Sequence, residues 1–316
     1  MSYSAADGFD HGTFVTSDGT QLAYQERPGD DAPTYLLANG LGGSYKAWAP
    51  FAEYLEGQHR LLTWDYRGLY RSEVPSDLAT LSVERQCQDM AELLDHMGVD
   101  QVVLFGWSMG VQMNFEFCRS HPERVLGIVV INGVPGRPFE TAVTVEIARR
   151  LLPFIVRGLK YSGPVLTPVM GGLASKWISM KATQLLGLLG PTACFRHWEE
   201  LAGDFANLDL HVYFETMRLL GLHDASDVLP GIQVPVMIIA GAKDILTPAR
   251  ASRAMASEIP EAELMMVRGG THYTPVEFPE LLALRVDKYL RERIAPRLSA
   301  RLKRSGAKRG GKRATA

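Results

Sequence analysis

Short apolar runs alternate with segments of helical periodicity along most of this 316-residue chain. Runs such as TYLLANG, VVLFG, LGIVVING and VPVMIIAG are apolar at nearly every position, which is typical of strands buried on both faces of a sheet. Between them, segments such as SVERQCQDMAELLDHMG carry apolar residues at helical spacing and end in glycine. The alternation predicts an α/β fold in which a mostly parallel sheet is flanked by helices.

The two ends of this pattern add detail to the predicted sheet. TFVTSD and QLAYQER flank Asp18-Gly19, so they predict an antiparallel hairpin at the start of the fold. Helices are predicted over Ala47–Leu55, near Pro248–Ile259 and near Glu277–Arg293, each beside a strand-type run.

The alternation stops between about residues 134 and 231, where the chain is rich in Leu, Met, Phe, Trp, Gly and Pro. We interpret this segment as a mostly helical cap inserted between two strands. The predicted domains are therefore an α/β core over 12–133 and 232–294, a cap over 134–231 and a tail over 295–316. The alternative is an ordinary second helical layer with no role at a functional site.

Charge is distributed unevenly along the chain. The formal net charge is −2, yet the last twenty residues, 297–316, carry eight Lys or Arg and no acid. Such a tail is usually solvated and disordered, and contact with anionic surfaces is the alternative interpretation. No firm nucleic-acid or membrane partner is predicted.

Several classes of protein are disfavoured by what the sequence lacks. The three cysteines are widely spaced without a Cys/His pattern, so neither a zinc site nor any other metal site is predicted. No cofactor is predicted either, because the Gly-rich patterns of nucleotide-binding loops do not occur. The N-terminus has no basic start followed by an apolar stretch, and no apolar run could span a bilayer. We therefore expect a soluble, cytoplasmic protein.

A serine lies between two glycines where a predicted strand meets a predicted helix, in Gly106-Trp107-Ser108-Met109-Gly110. A tight strand-to-helix turn strains its central residue and brings neighbouring segments close, and glycines two positions away relieve that crowding. The hydroxyl would then be displayed at the carboxyl edge of the sheet, where open α/β sheets place their ligand sites. The pattern predicts that Ser108 is a nucleophile.

A base and an orienting acid are predicted at the same edge. His272 follows the last strand-type run on a loop introduced by two glycines, and Asp244 follows the preceding strand. The chain order Ser, Asp, His is the order expected for a catalytic triad in such a sheet. The alternatives are a solvated loop histidine and an ordinary turn aspartate.

Donors for an oxyanion are predicted after the strand that ends at Asn39. The sequence Asn39-Gly40-Leu41-Gly42-Gly43 lets backbone N–H groups approach a reacting oxygen. We predict that the N–H groups of Leu41 and Met109 form the oxyanion hole, the latter at a helix N-terminus. Asn39 and Gly40 would support this loop.

These motifs together resemble the α/β-hydrolase superfamily, over about Gly12 to Arg293. The serine turn resembles its nucleophile elbow, Gly241-x-x-Asp244-x-x-x-Pro248 its acid turn, and Gly-Gly-Thr-His272 its histidine loop. WDYRGLYRS resembles a turn common in the family, expected to be structural, with Asp65 and Arg67 paired nearby.

Two positions depart from the family pattern. Asn39 stands where the oxyanion loop often has histidine, and its amide is expected to hold the loop by hydrogen bonds. Tyr70 stands where the family often has glycine, so we expect that turn to be shifted. Relatives that dehalogenate or open epoxides use an aspartate nucleophile, and Ser108 argues against both activities.

The resemblance implies a serine hydrolase that cleaves carboxylic esters with an apolar acyl or alcohol group through an acyl-enzyme intermediate. The expected partner is a small-molecule ester. The apolar residues of the predicted cap would suit an apolar pocket. Thioesterase, perhydrolase-like and carbon–carbon bond hydrolase activities remain open, as does a non-catalytic hydrolase-fold protein that binds a ligand.

Overall fold

An eight-stranded sheet forms the centre of the protein in a computed structural model that describes residues 8–29, 31–55, 57–141 and 177–298. The strands are β1 (Asp10–Val15), β2 (Gln21–Arg27), β3 (Asp31–Ala38), β4 (His59–Trp64), β5 (Val102–Trp107), β6 (Val125–Ile131), β7 (Val236–Gly241) and β8 (Ala262–Val267). Their spatial order is β1-β2-β4-β3-β5-β6-β7-β8. The pairs β1–β2 and β2–β4 are antiparallel and all the others are parallel, which confirms the predicted α/β fold.

The α-helices among the described residues follow the strands. They are α1 (Ala49–Glu53), α2 (Val83–His96), α3 (Met109–Ser120), α4 (Pro138–Thr141), α5 (Trp177–Leu185), α6 (Phe195–Phe205), α7 (Leu210–Leu222), α8 (Ala249–Glu258), α9 (Thr274–Glu277) and α10 (Pro279–Tyr289). Four of them, α4 to α7, lie between β6 and β7, in the segment predicted as a cap. Residues 142–176 of that segment lie outside the described residues.

The central strands bury side chains on both faces, as their uninterrupted apolar sequences predict. Leu104 and Ile128 belong to one core cluster, formed with α2, α3 and α8. Val103 and Val129, one residue away in each strand, belong to a second cluster, formed with α1 and α10. Because successive side chains of a strand point to opposite faces, the sheet is covered by helices on each side.

Two predicted helices are interrupted. The segment Ala47–Leu55 divides into a short 3-10 turn, Tyr45–Ala47, and α1, which has a proline in its first turn. Near the C-terminus, Phe278 separates α9 from α10 with a φ of −137°. A residue before proline is disfavoured in helical geometry, and Pro279 follows Phe278. The helical backbone then continues to residue 298, into the segment predicted as a tail, and 299–316 lie outside the described residues.

The turn after β4 carries a buried ion pair. The Arg67 guanidinium contacts both carboxylate oxygens of Asp89 at 2.6 Å and one oxygen of Asp18 at 2.8 Å. Asp65 instead accepts hydrogen bonds from the Gln25 side chain and from the backbone N–H of Arg71, both at 3.3 Å.

Among the described residues, no helix has the length and apolar character that crossing a membrane requires.

Candidate active site

Ser108 occupies a strained turn between β5 and α3. Its φ of 55° and ψ of −112° are rare for a residue with a side chain. A Cβ at Gly106 would lie 2.5 Å from the Gly110 carbonyl oxygen, and a Cβ at Gly110 would lie 2.2 Å from the Ala38 carbonyl oxygen. Both glycines are therefore required by close backbone contacts, as the sequence predicted, and the serine side chain stands at the carboxyl edge of the sheet.

His272 lies within hydrogen-bonding distance of Ser108. It belongs to the loop after β8, its side chain is buried, and its Nε2 lies 2.9 Å from the Ser108 Oγ. Its Nδ1 lies 2.9 Å from Asp244 Oδ2. Because an ionised carboxylate only accepts, Nδ1 carries the proton and Nε2 accepts from the serine hydroxyl.

Asp244 is held in the turn after β7 by donors from its own turn. Its Oδ1 accepts from the backbone N–H groups of Leu246 and Thr247 at 2.8 and 2.9 Å, and its Oδ2 accepts from the Thr247 hydroxyl at 2.7 Å. Burial alone would raise the pKa of Asp244, but the charge and hydrogen bond of His272 and the Thr247 donors lower it. The carboxylate thus stays ionised at neutral pH and faces the imidazole. The structure brings the predicted serine, histidine and aspartate together.

The residues of the predicted oxyanion donors, Leu41 and Met109, lie on the loop after β3 and at the start of α3. Met109 is the first residue of α3 and follows Ser108 directly, so its N–H lies at the helix N-terminus. On the loop after β3, Gly40 packs so closely that a Cβ there would lie 3.3 Å from the Ser108 Cβ. Leu41 and Gly40 both line the cavity that contains Ser108.

Asn39 holds the loop after β3, as predicted from its amide. Its Oδ1 accepts from the Trp48 indole N–H at 2.6 Å, and its Nδ2 donates to the Thr63 hydroxyl at 3.4 Å. Its carbonyl oxygen accepts from the Tyr66 hydroxyl at 2.6 Å. Asn39 is almost fully buried, so it connects the loop to β4 and to the Trp48 turn rather than to the cavity.

Asn132 was not predicted, although it connects the histidine loop to the turn that carries Asp244. It follows β6 with a φ of 45°, and its Nδ2 donates to the carbonyl oxygens of Thr271 and His272 at 2.7 and 3.0 Å. Its Oδ1 accepts from the Gly241 N–H at 2.7 Å, at the start of the turn that carries Asp244. A polar residue directly after a fully apolar strand was the signal that could have identified it.

Trp107 is a second residue whose role sequence reasoning missed. Its indole N–H donates to the His272 carbonyl oxygen at 2.8 Å, so the residue before the serine restrains the histidine loop. No pattern in the sequence distinguishes this tryptophan from one that only packs in the core.

A cavity of about 260 Å³ opens above Ser108. Its wall is mainly apolar and aromatic, and no Asp, Glu, Lys or Arg of the described residues lines it. The lining residues are Gly40, Leu41, Trp107, Ser108, Pro138, Phe139, Tyr213, Met217, Leu220, Leu246, Thr247, His272 and Tyr273. Five of them come from α4 and α7, so the segment between β6 and β7 forms much of the wall.

Known families match both halves of the chain. A sequence model of the family described as the alpha/beta hydrolase fold matches residues 33–167, and one of the family described as TAP-like protein matches residues 222–300. A putative carbamate hydrolase RutD from Pseudomonas savastanoi pv. phaseolicola is 27% identical over 258 residues, which cover 79% of this chain and 90% of that protein.

Solved structures share the fold at lower identity. A hydrolase from Pseudomonas aeruginosa superposes with a TM-score of 0.71 at 23% identity, over 89% of this chain and 98% of the other. An esterase from Exiguobacterium antarcticum superposes with a TM-score of 0.70 at 17% identity, over 89% of this chain and 99% of the other. The fold is thus shared with these solved structures.

Proposed function

This chain belongs to the α/β-hydrolase superfamily, and from that premise we propose that it is a serine hydrolase of carboxylic esters with an apolar acyl or alcohol group. The observation that carries the proposal is the hydrogen-bonded series from the Ser108 hydroxyl through His272 to Asp244, with both contacts at 2.9 Å. The Asn132 and Trp107 contacts described above support the same geometry.

In the first half of the proposed reaction, the Ser108 Oγ attacks the ester carbonyl while its proton passes to the Nε2 of His272. Asp244 stabilises the imidazolium that forms and keeps Nδ1 protonated. The negative oxygen of the tetrahedral intermediate is stabilised by the N–H groups of Leu41 and Met109. The imidazolium then gives its proton to the departing alcohol, which leaves an acyl group on Ser108.

In the second half, water attacks this acyl-enzyme. His272 takes a proton from the water and returns one to the Ser108 Oγ as the carboxylic acid leaves. No cofactor enters either half of the proposed reaction.

The cavity supports an apolar substrate of limited size. Its wall carries no formal charge among the described residues, and Phe139, Met217 and Leu220 contribute apolar surface above the serine. Transfer of such surface from water to substrate contact is favourable by about 25 cal/mol per Å². We expect p-nitrophenyl and glyceryl esters of short to medium acyl chains to be hydrolysed.

The test begins with a fluorophosphonate, which reacts with activated serines. We expect wild-type protein to be labelled at Ser108 and to hydrolyse the ester series, and Ser108→Ala to lose both properties. Ser257→Ala removes an exposed hydroxyl that donates only to the Ala254 carbonyl within its own helix, so it serves as the matched control. Activity of Ser108→Ala within about tenfold of wild type would refute the assigned nucleophile, since loss of a triad serine costs far more.

Carbamate hydrolysis is a second candidate, because several of the similar proteins carry the name putative carbamate hydrolase. The same three side chains would attack a carbamate carbonyl, so the site geometry does not separate the two activities. Paired p-nitrophenyl esters and N-alkyl carbamates of equal length separate them by kcat/KM. A higher kcat/KM for the esters would support the first assignment, and a higher kcat/KM for the carbamates would reverse it. A cytoplasmic location and contact of residues 297–316 with anionic surfaces stay predictions.

A further inference from the structure

We propose that Tyr70 is a positioning residue for the oxyanion hole, acting through the backbone of the loop that carries Leu41. This inference rests on the proposed function, since it assigns a role within the same reaction. The observation behind it is that the Tyr70 hydroxyl donates to the Gly42 carbonyl oxygen at 2.5 Å.

The loop after β3 needs an external restraint. Three of its five residues, Gly40, Gly42 and Gly43, are glycines, and glycine rotates between backbone conformations that other residues cannot adopt. Gly42 has a φ of +69° and lies against α6 and α7, where a Cβ would come within 2.8 Å of the Tyr213 ring. The glycines therefore allow a close approach of these helices, but by themselves they leave the peptide planes poorly fixed.

Two peptide planes connect the Tyr70 hydroxyl to the Leu41 N–H. Because a peptide group is planar and trans, a hydrogen bond that orients the Gly42 carbonyl also orients the Gly43 N–H on the opposite side. That N–H donates to the Gly40 carbonyl oxygen at 2.8 Å. The Gly40 carbonyl belongs to the same plane as the Leu41 N–H, which consequently points away from it.

The hydroxyl of Tyr70 is suited to a permanent donor role. Burial, followed by the nearby charges of Asp204 and Asp65, raises the pKa of Tyr70 well above its usual range. The hydroxyl therefore keeps its proton at neutral and alkaline pH and continues to donate. Tyr66, four residues earlier, donates to the Asn39 carbonyl at the other end of the loop, so the turn after β4 restrains the loop at both ends.

The backbone at Tyr70 is strained for a residue that carries a side chain. Its φ is 53°, in the left-handed region that glycine adopts without cost, and a residue with a side chain there costs about 1–2 kcal/mol. Strain of this kind persists mainly where function requires it. A glycine would satisfy the turn, but it would leave the Gly42 carbonyl without its donor.

The test compares wild type, Tyr70→Phe and the matched control Tyr289→Phe. Tyr289, at the end of α10, also donates through its hydroxyl to a backbone carbonyl, that of Pro235, at 2.6 Å. Pro235 directly precedes β7, at the edge of the sheet opposite to the site. For each protein we measure kcat and KM with p-nitrophenyl hexanoate, per serine titrated by fluorophosphonate. We also measure inhibition by a trifluoromethyl ketone and by the methyl ketone of the same length.

The ketone pair isolates the oxyanion hole. The trifluoromethyl ketone accepts the Ser108 Oγ at its carbonyl carbon, the serine proton passes to His272, and the former carbonyl oxygen becomes a charged oxyanion. The methyl ketone binds in the same cavity without this adduct. A variant that disturbs only the oxyanion donors therefore weakens the binding of the trifluoromethyl ketone and leaves the binding of the methyl ketone unchanged.

We expect Tyr70→Phe to lower kcat about tenfold, less than the loss of a whole oxyanion donor, and to leave KM within about twofold. The trifluoromethyl ketone should bind correspondingly more weakly, the methyl ketone equally well, and Tyr289→Phe should match wild type throughout. A kcat of Tyr70→Phe within about twofold of wild type would overturn the proposal. Equal changes in the inhibition constants of the two ketones would overturn it as well. If wild type neither hydrolyses the ester nor forms the adduct, the proposed function itself is wrong and the role of Tyr70 is withdrawn with it.

Discussion

At the scale of single residues, Ser108 combines a strained backbone with a displayed hydroxyl. Its φ of 55° and ψ of −112° suit glycine, whereas any side chain there is strained by on the order of 1–3 kcal/mol. The neighbouring glycines remove clashes but do not remove this strain. The site thus holds its nucleophile at the expense of stability.

Ser108→Gly should therefore be more stable than Ser108→Ala, although both are inactive. Both variants lose the contact with His272. The difference between their free energies of unfolding is therefore the backbone strain that glycine avoids, minus the roughly 1 kcal/mol that the greater flexibility of glycine in the unfolded chain costs. We expect Ser108→Gly to have the larger free energy of unfolding, by on the order of 1 kcal/mol, in urea titrations. If Ser108→Ala were instead the more stable variant by about 1 kcal/mol, the turn would not be strained.

Asn132 is the residue for which the largest structural loss is expected. Asn132→Gly keeps the φ of 45° without strain, and it removes the donors to Thr271 and His272 and the acceptor for Gly241. We expect a loss of about 3 kcal/mol in the free energy of unfolding, because the buried Gly241 N–H loses its acceptor and the carbonyls of Thr271 and His272 each lose one of two donors. Catalytic turnover should fall as well, since the histidine loop is released.

Asn207→Gly provides the baseline for this measurement. Asn207 is exposed, and its amide donates only to the Gly203 carbonyl at 2.8 Å, so this variant reports the cost of glycine in the unfolded chain. If both substitutions lowered stability by the same amount, Asn132 would have no special structural role.

At the scale of elements, the contact between α3 and β3 depends on a glycine inside a helix. Gly110 lies in the first turn of α3, and a Cβ there would come within 2.2 Å of the Ala38 carbonyl oxygen of β3. In an open helix, alanine is preferred to glycine by about 1 kcal/mol. Here the close approach of helix to strand reverses that preference.

We expect Gly110→Ala to destabilise the protein and Gly203→Ala to stabilise it. Gly203 lies in α6, and a Cβ there would meet no atom within 4 Å, so this variant should gain about 0.5–1 kcal/mol. Gly110→Ala should lose at least about 1–3 kcal/mol, because α3 must move away from the sheet. Thermal midpoints of the two variants on opposite sides of wild type would support this, and a gain in both would contradict it.

At the scale of the whole molecule, the buried carboxyl of Asp65 makes stability depend on pH. Burial raises the pKa of Asp65 to about 7, although the hydrogen bonds from the Arg71 backbone and from Gln25 lower it. Between about pH 4 and 7 the folded protein therefore holds a proton that the unfolded chain has released. The folded state binds more protons in this range, so the free energy of unfolding falls as the pH rises.

Asp65→Asn should remove this part of the pH dependence. The amide oxygen can still accept from Gln25 and from the Arg71 backbone, but it carries no charge at any pH. Relative to wild type, the variant should gain stability between pH 5 and pH 8, as measured by urea unfolding at each pH. Wild type and Asp65→Asn curves that stay parallel across this range would contradict a raised pKa.

The sequence by itself determined the fold and the identity of the main candidate residues. Strands buried on both faces must be apolar along their whole length, and helices between them must carry one apolar face, so the alternation predicts the parallel sheet. Chain order then places Ser108, Asp244 and His272 after strands whose carboxyl ends share one edge. These inferences depend on local pattern and chain direction, which a sequence contains directly.

Only the tertiary structure decided how those residues are held. Asn132, Trp107 and Tyr70 make side-chain hydrogen bonds to backbone groups up to 165 positions away in the chain. A hydrogen bond of this kind depends on distances of a few tenths of an ångström and on the direction of a peptide plane, neither of which leaves a period or a motif in the sequence. The interruptions at Pro50 and Pro279 differ in this respect, because proline restricts the chain locally and could have been predicted.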